Sequence, residues 1–481
     1  MPTMLNPYRF IEFNSRANPT RIALVDEASE FNYRQLWALV KKAAAKLRAA
    51  GVRPGDLVVT SLPAGLDWII TNALFHEACL TCSNHGYAPV DPALGVKWYV
   101  SNRPAELPRE QLILLGPDWF TNIGDDALEA TCHDYDGSDA LCRLVLTSGT
   151  TGQAKGVPLT VGQLEGRLRT IPAYWSGGRG EFNIMGLLTI GGFMTALYAA
   201  MSGSTYYAPG TSGNLQMLRK YGIRSLIGSP VQLQRLIENM HKAGVALPSV
   251  REIRSAGGVL PPALVASLRQ HFRADIFNTY GSTEAGGVAF CAVNPKYESS
   301  IAGILLDGVQ VEIVDDEGAP LPANTEGTLR VRTVNMARGY YRNAEASAEF
   351  FRDGWFYPGD RGLLQPNGLL RLAGRNSEVI NRGGVKIDPA AVDQVLVEWP
   401  GVRDAAAFGV EDATGTLQPA VALVTDAGFE LEGLRAALVK KFTPASAPRL
   451  YFFADSIPRN EMGKVMRQQL REQFAAEALK H

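Results

Sequence analysis

Residues 147–155 read TSGTTGQAK, a run of small hydroxyl residues and glycines that ends at a lysine. Main-chain amides in such a run can point at phosphate oxygens, and Lys155 adds a positive charge. The run is not a P-loop, because counting from Gly149 places Ala154 where the second glycine is needed, and Gly156 follows the lysine. A flexible linker is disfavoured by the apolar residues on both sides. The sequence therefore predicts a phosphate-binding loop.

Two later stretches carry groups that suit the rest of a nucleotide. NTYGSTEAGG (residues 278–287) offers the aromatic face of Tyr280, hydroxyls at Ser282 and Thr283, and the Glu284 carboxylate. These groups could stack on a purine, bind a phosphate and hold a divalent cation. GWFYPGDRGLL (residues 354–364) places Asp360 in a Pro-Gly turn, where its carboxylate could accept hydrogen bonds from ribose hydroxyls. Each stretch alone could equally be an ordinary turn or helix cap.

The elements that would position these groups alternate between short apolar runs and helical patterns. LVVTSL, LILLG, RLVLTSG, RSLIGSP and EIRSAGG end in small residues, and residues 230–244 between two of them have helical spacing. This alternation predicts an α/β fold, with a large N-terminal domain of parallel or mixed sheets flanked by helices. From about Val309, dense turns predict an antiparallel β subdomain. The expected domains are residues 1–374 and a small, mobile α+β domain at 375–481.

Composition narrows the class of protein. The 481 residues carry 47 basic and 48 acidic side chains, and the formal net charge is −1, which gives no nucleic-acid-binding signature. The N-terminus does not resemble a signal peptide and no apolar run is long enough to span a membrane, so a cytoplasmic location is expected. Cys79 and Cys82 have C-x-x-C spacing, but no second ligand pair follows, so they are interpreted as buried structural thiols.

Five motifs in order resemble those of the adenylate-forming superfamily of acyl-CoA synthetases, aryl-acid ligases, adenylation domains and luciferases. They are LTSGTTGQAKG, NTYGSTEAGG, GWFYPGDRG, LAGRNSEVINRGGVKI and PRNEMGKVMR, and together with the early helix they cover most of the chain. The resemblance implies that ATP and a carboxylic acid form an acyl adenylate with release of pyrophosphate. The acyl group then passes to a thiol.

The resemblance also implies roles for individual residues. Lys464 and Thr283 would be catalytic, since they would contact the reacting carboxylate and the α-phosphate, and Glu284 would hold magnesium. The implied nucleotide-binding residues are Thr147, Ser148, Gly149, Thr150, Thr151, Gly152 and Lys155 for phosphates, Gly257, Gly258, Asn278, Thr279, Tyr280 and Gly281 for adenine, and Asp360 and Arg375 for ribose.

The second half-reaction would use other residues. By resemblance, the C-terminal domain rotates about a hinge at Ser377, and Gly383 and Gly384 form a turn beside the tunnel for the thiol. Two residues depart from the family pattern. Ser377 stands where most relatives have Asp or Lys, which bears on the domain rotation, and Pro358 replaces a threonine of the ribose motif.

The acid is predicted less closely than the nucleotide. Amino-acid-activating relatives have an aspartate where this chain has Ile190, and residues 186–207 contain no acidic residue, so an α-ammonium would be buried without a partner. An aryl, cinnamyl-like or fatty acid is expected. The candidate pocket residues are Ile190, Gly191, Phe193, Met194 and Gly286.

The acceptor is coenzyme A or a carrier-protein phosphopantetheine, with coenzyme A favoured. The alternatives are an enzyme that stops at the adenylate, a luciferase-like oxygenase, and a degenerate regulatory module that only binds nucleotide or acyl chains. Retention of Lys155, Glu284, Asp360 and Lys464 argues against the last of these.

Overall fold

The computed structural model describes residues 6–84, 89–103, 107–116, 119–120, 133–148, 154–171, 180–210, 214–375, 378, 380–382, 385–411, 417–460 and 463–479.

The first part of the chain builds a six-stranded sheet of order β6-β5-β3-β4-β7-β8. Its elements are α1 (Arg9–Ala17), β1 (Ile22–Val25), β2 (Glu30–Asn32), α2 (Tyr33–Ala49), β3 (Leu57–Ser61), α3 (Ala64–His76), β4 (Leu80–Ser83), β5 (Trp98–Ser101), β6 (Leu112–Leu114), β7 (Leu141–Ser148) and β8 (Ala154–Thr160), with short 3-10 helices at Pro92–Leu94 and Arg109–Gln111. Strands β3 to β7 pair in parallel, and β8 returns antiparallel to β7. The hairpin β7–β8 therefore carries the predicted phosphate loop at its tip.

The second sheet has twelve strands, all of which lie between residues 161 and 375. The elements of this part of the chain, which include one strand of another sheet, are given in chain order. They are α4 (Val161–Thr170), β9 (Glu181–Asn183), α5 (Ile190–Ser202), β10 (Tyr206–Tyr207), α6 (Asn214–Lys220), β11 (Ser225–Gly228), α7 (Pro230–Ala243), β12 (Glu252–Ala256), α8 (Pro262–His271), β13 (Asp275–Ser282), β14 (Gly286–Ala292), β15 (Ile301–Leu305), β16 (Val309–Val314), β17 (Gly327–Thr333), α9 (Ala344–Phe350), β18 (Phe351–Arg352), β19 (Trp355–Phe356), β20 (Asp360–Leu364) and β21 (Leu369–Arg375). Strands β10, β1 and β2 form a separate small sheet.

The large sheet changes from parallel to antiparallel along its width. Its order is β18-β19-β17-β20-β21-β15-β14-β13-β12-β11-β9, with β16 paired to β17. Strands β9, β11, β12 and β13 are parallel, and each later pairing is antiparallel. The strands from Val309 onward have their own core around Val311, Leu329 and Leu370. They nevertheless continue the same sheet, because β15 pairs with β21.

Local sequence explains where the helices near the site begin. Thr160 and Gln163 form a capping box at the start of α4, and Ser229 and Gln232 form one at α7, whose first residue is Pro230. Such boxes satisfy main-chain amides that have no partner within the helix. Both helices therefore start at defined positions directly after a strand.

The C-terminal region forms a smaller α+β unit with its own packing. Its elements are β22 (Ile380–Arg382), β23 (Val385–Ile387), α10 (Pro389–Val397), β24 (Val402–Glu411), β25 (Leu417–Thr425), α11 (Leu431–Ser446), β26 (Leu450–Phe453) and α12 (Arg467–Ala478). Ala406 and Phe408 of β24 pack with α12, whereas Ala405 and Ala407 pack with α10 and α11. Because helices cover this strand on both faces, its central residues 405–410 are all apolar or glycine and all buried.

The predicted fold class is confirmed: a large N-terminal α/β domain with a β subdomain precedes a small α+β domain. The predicted boundary between residues 374 and 375 falls at the end of β21 and remains a prediction. Within the described residues, every helix is too short or too polar to cross a lipid bilayer.

Candidate active site

The β7–β8 hairpin presents the first group of predicted residues. Thr147 and Lys155 are direct cross-strand partners, and the Thr147 hydroxyl donates to the Lys155 carbonyl at 3.2 Å. Ser148 ends β7, and Ala154 opposite it begins β8. Residues 149–152 of the predicted phosphate loop lie outside the described residues. The two strands place the loop ends and Lys155 at one edge of the sheet.

The Lys155 ammonium faces aromatic rings. Its Nζ lies 4.0 Å from the ring centroid of Phe350 and 5.3 Å from that of Tyr340. No carboxylate lies within salt-bridge distance of Lys155 in the described part of the chain. A cation over a ring face is held weakly, whereas a phosphate would bind it strongly. The lysine is therefore available to an anionic ligand.

Glu284 is 7% exposed, and Tyr340 holds one of its oxygens. The Tyr340 hydroxyl donates to Glu284 Oε1 at 2.8 Å. Burial and the neighbouring Glu284 charge raise the pKa of Tyr340, so the phenol remains a protonated donor. Of the described residues, none donates a hydrogen bond to Glu284 Oε2, which leaves this oxygen for another ligand.

Arg167 of α4 fixes the backbone beneath the Thr283–Glu284 pair. Its guanidinium donates to the carbonyls of Thr283 at 2.9 Å, Glu284 at 2.9 Å and Asn335 at 3.0 Å. The Ala337 amide also donates to the Glu284 carbonyl at 2.8 Å. Charge-assisted hydrogen bonds of this kind are stronger than neutral ones. The main chain at residues 283–284 is therefore held from two sides.

The predicted ribose residues meet across two strands. Asp360 of β20 and Arg375 of β21 are cross-strand partners, and Arg375 Nε lies 3.2 Å from Asp360 Oδ1. The Tyr280 hydroxyl donates to Asp360 Oδ2 at 2.5 Å, which joins the adenine motif to the ribose motif. Burial opposes the charge of Arg375, but Asp360 and Glu378 outweigh it and raise the Arg375 pKa. The Asp360 carboxylate is thus held in place by Tyr280 and Arg375.

The adenine-motif residues lie on β12 and β13, which pair in parallel. Gly257 and Gly258 follow β12, and Gly257 has a φ of 81°. Asn278 is buried, and its amide donates to the Tyr297 hydroxyl at 3.3 Å. Its Oδ1 has no partner among the residues that the structure describes. Thr279 pairs with Phe290 on β14, and a bulge follows Tyr280. Gly281 is required at this bulge, because a Cβ there would lie 2.3 Å from the Gly286 carbonyl oxygen.

Lys464 reaches this cluster from the C-terminal region. Lys464 is exposed by its accessible surface, but enough protein atoms surround its ammonium to reduce the hydration of the charge. Burial and the charge of Arg375 lower the Lys464 pKa, whereas Asp360 and Glu284 act in the opposite direction. The Lys464 amide donates to Asn460 Oδ1 at 2.9 Å, and the Lys464 carbonyl accepts from the Asn460 amide at 3.0 Å.

The turn that carries Lys464 contacts the N-terminal domain at α7. Gly463 has a φ of 80°, and a Cβ built there would lie 2.0 Å from Val231 Cγ2. Such an approach is possible only for glycine, because carbon atoms in contact normally lie 3.5–4.0 Å apart. The close fit of Gly463 on α7 and the charges that act on Lys464 place this lysine near Asp360, Glu284 and Arg375.

The predicted pocket residues occupy the start of α5. Thr189 caps this helix by accepting from the Gly192 amide at 3.0 Å, which places Ile190 and Gly191 in the first turn. Phe193 is 0% exposed, and Arg143 lies over its ring at 4.5 Å. Met194 is buried too, so both side chains belong to the core behind the helix start. Gly286 begins β14 with a φ of 81°, close to Arg167.

The donor set fits a magnesium ion. Glu284 and Thr283 supply hard oxygen atoms, and magnesium is usually held by one or two carboxylates together with substrate phosphates. No group of three or more His, Cys, Asp or Glu side chains that could hold a metal occurs within the described residues. An ion here would therefore need the nucleotide as a partner. Cys79 and Cys82 of the C-x-x-C pair are both buried, and burial raises the pKa of the Cys82 thiol to about 12.

Comparison with known families agrees with this geometry. Residues 11–97 and 102–341 match the family described as AMP-binding enzyme, and residues 391–464 match its C-terminal domain. Together these matches cover well over half of the chain. The chain is an AMP-binding enzyme.

Relatives of this AMP-binding enzyme extend along its whole length. An oxalate–CoA ligase of Arabidopsis thaliana is 27% identical, with 95% of this chain and 96% of the relative aligned. A medium/long-chain-fatty-acid–[acyl-carrier-protein] ligase of Mycobacterium tuberculosis is 28% identical over 95% and 93% of the two chains. The crystal structure of an anthranilate CoA ligase in complex with anthranoyl-AMP superposes with a TM-score of 0.85 at 20% identity over 99% of both chains, which shows the shared fold.

The AMP-binding enzyme is thus an AMP-forming acid–thiol ligase. It activates a carboxylic acid with ATP as an acyl-AMP, releases pyrophosphate and passes the acyl group to a thiol. The predicted hinge residue Ser377 and the predicted tunnel residues Gly383 and Gly384 lie outside the described residues.

Sequence reasoning missed three residues that hold the site of this AMP-binding enzyme together. The first is Tyr340, which contacts Glu284, and the second is Arg167, which contacts the Thr283–Glu284 backbone. The third is Val231, which contacts Gly463. The spacing of these residues along the chain gives no signal, because each meets its partner only through folding. Tyr340, for example, is 56 positions from Glu284.

Proposed function

We propose that this enzyme joins an aryl or fatty acid to coenzyme A through an acyl-AMP. The observation that carries the proposal is the arrangement around Lys464. The turn that carries Lys464 packs on α7. The charges of Asp360 and Glu284 favour the protonated lysine, and the charge of Arg375 disfavours it. This arrangement suits the adenylate-forming step, in which a cation must meet the incoming carboxylate.

The residue roles follow from the charges that must be balanced. Attack of a carboxylate on the α-phosphate brings two anions together, so positive groups and hydrogen-bond donors must be in place beforehand. Lys464 would contact the carboxylate and the bridging oxygen, Thr283 the α-phosphate, and Lys155 the β- and γ-phosphates. Bound magnesium would supply further charge neutralisation next to Glu284.

The nucleoside end would be held by neutral and anionic acceptors. Asp360 would accept from the ribose hydroxyls, since its carboxylate is fixed by Tyr280 and Arg375. The buried Oδ1 of Asn278 is an acceptor for which the described part of the chain supplies no donor. The amino group of adenine is such a donor, which supports adenine as the base.

Two observations bear on the acid and the acceptor. Residues 186–207 contain no acidic side chain, which supports an acid without an ammonium group. The oxalate relative and the anthranilate ligase are CoA ligases, which supports coenzyme A as the thiol. The relative that loads an acyl-carrier protein keeps a carrier phosphopantetheine as the second candidate.

Pyrophosphate exchange tests the first half-reaction. Purified enzyme, ATP and labelled pyrophosphate are incubated with single acids from an aryl, a fatty and a dicarboxylic set, and we expect label in ATP for at least one aryl or fatty acid. Exchange with dicarboxylic acids alone would overturn the proposed acid class, and absence of exchange with any acid would overturn the function.

Two parallel incubations identify the acceptor. The acid that supports exchange is incubated with ATP and either coenzyme A or a pantetheinylated carrier protein, and the thioester is detected by mass spectrometry. We expect the coenzyme A thioester. A product on the carrier protein alone would replace coenzyme A with the second candidate.

A further inference from the structure

Tyr340 lies between the two groups that the nucleotide phosphates require. It is 8% exposed, its hydroxyl donates to Glu284 Oε1 at 2.8 Å, and its ring centroid lies 5.3 Å from Lys155 Nζ. One side chain thus contacts both the candidate metal ligand and the candidate phosphate lysine.

The hydrogen bond from Tyr340 restricts the rotation of the Glu284 carboxylate. The Glu284 carbonyl already accepts from Arg167 and from the Ala337 amide, so the main chain is fixed and only the carboxylate can still rotate. Tyr340 takes Oε1. None of the described residues donates a hydrogen bond to Oε2, so this oxygen can serve as a cation ligand.

The ring of Tyr340 is itself held in place. It packs edge-on against Phe350 with centroids 5.9 Å apart and against Phe351 with centroids 5.4 Å apart. The Tyr341 amide donates to the Gly156 carbonyl at 2.8 Å, which ties the segment to β8 beside Lys155. The aromatic surface below Lys155 is therefore rigid with respect to the hairpin that carries the lysine.

We propose that Tyr340 is a positioning residue with two separate effects on nucleotide binding. Its hydroxyl orients Glu284 so that Oε2 is free for a divalent cation. Its ring, together with that of Phe350, holds the Lys155 ammonium in one position, where it can bind a phosphate. This inference rests on the proposed function, because it takes Glu284 and Lys155 as the cation and phosphate ligands.

Two substitutions separate the two effects. Tyr340→Phe removes the hydroxyl and keeps the ring, whereas Phe350→Leu removes the ring that lies nearest to Lys155 and keeps the hydroxyl. Binding of Mn²⁺ is measured by electron paramagnetic resonance with a non-hydrolysable ATP analogue present at saturation. Binding of a fluorescent ATP analogue is measured separately in EDTA. Neither measurement depends on turnover.

We expect Tyr340→Phe to weaken Mn²⁺ binding about tenfold, or about 1.4 kcal/mol, with nucleotide binding in EDTA unchanged within about twofold. We expect Phe350→Leu to weaken nucleotide binding in EDTA about fivefold and to leave Mn²⁺ binding unchanged. Phe350→Tyr keeps an aromatic face and should bind nucleotide like the wild type. Tyr206→Phe is the matched control, because this buried hydroxyl has no hydrogen-bond partner within the described residues.

Glu284→Gln completes the experiment as a double-variant cycle with Tyr340→Phe. The two changes should be less than additive on Mn²⁺ binding, because the hydroxyl acts through this carboxylate. Additive effects, unchanged Mn²⁺ binding in Tyr340→Phe, or equal loss of both ligands in Tyr340→Phe and Phe350→Leu would overturn the inference. Wild-type protein that binds no nucleotide would instead refute the proposed function.

Discussion

The substitution Gly463→Ala is expected to separate the two half-reactions, because it disturbs only the docked position of the Lys464 turn. The new Cβ would lie 2.0 Å from Val231 Cγ2 and 2.6 Å from Val231 Cβ, against a normal contact of about 3.5–4.0 Å. Relief of this overlap requires the turn to retreat from α7 by about 1.5 Å. Lys464 is the next residue and must retreat with it.

The size of the effect follows from that displacement. A misplacement of about 1 Å in a reacting group can cost about 100-fold in rate. Pyrophosphate exchange should therefore fall about 100-fold. Formation of the thioester from synthetic acyl-AMP should change by less than about threefold, because the proposed rotation of the C-terminal domain would carry the lysine turn away before a thiol enters.

Two companion variants isolate the cause. Gly428→Ala is the matched control, since Gly428 has a φ of 82° in the same small domain and no atom near its Cβ position. It introduces the same backbone strain, of about 1 kcal/mol, without a clash. Val231→Ala combined with Gly463→Ala should recover part of the exchange, because it removes the atom at 2.0 Å but leaves the one at 2.6 Å.

The result that would refute this reasoning is an equal loss of both half-reactions in Gly463→Ala. A loss no greater than that of Gly428→Ala would also refute it, since strain alone would then account for the effect. Absence of any recovery with Val231→Ala would show that α7 is not the docking surface.

Three other predictions concern the same chain. Lys464→Ala should suppress pyrophosphate exchange by at least about 100-fold and spare thioester formation from synthetic acyl-AMP, and normal exchange would remove Lys464 from its assigned role. Gly384→Leu should preserve exchange and impair thioester formation, whereas equal loss of both would make this turn structural. Burial raises the pKa of Asp388 from 3.8 to about 6, so ionising this carboxyl costs the folded state about 3 kcal/mol. The cost is complete above about pH 6 and absent below about pH 3.8. Asp388→Asn keeps the cap on Ala390 and should raise Tm at pH 8 but not at pH 4, and a shift of the same size at both pH values would contradict the assignment.

Much of the fold could be predicted because its elements are encoded locally. Apolar runs that end in small residues became β3, β6, β7, β11 and β12, and residues 230–244 became α7. The antiparallel strands after Val309 were also predicted. Their pairing with the parallel strands through β15 and β21 was not, since strand order depends on which edges remain free after the chain has folded.

The candidate site also has features that local sequence encodes and features that only the folded chain reveals. The sequence by itself determined the residue types that bind a nucleotide, because a phosphate loop or a ribose carboxylate is defined by chemistry and spacing over a few positions. It also determined the family, through five motifs in order. The acid is not specified at this level, because a pocket wall is made of side chains from several elements.

Only the tertiary structure decided how these groups are held. Tyr340 on Glu284, Arg167 on the carbonyls of Thr283 and Glu284, and Gly463 on Val231 are contacts between distant segments. Their energies depend on distances of a few tenths of an ångström, which no residue type specifies. Packing alone brings such partners together, and for that reason the positioning residues could be found only in the folded chain.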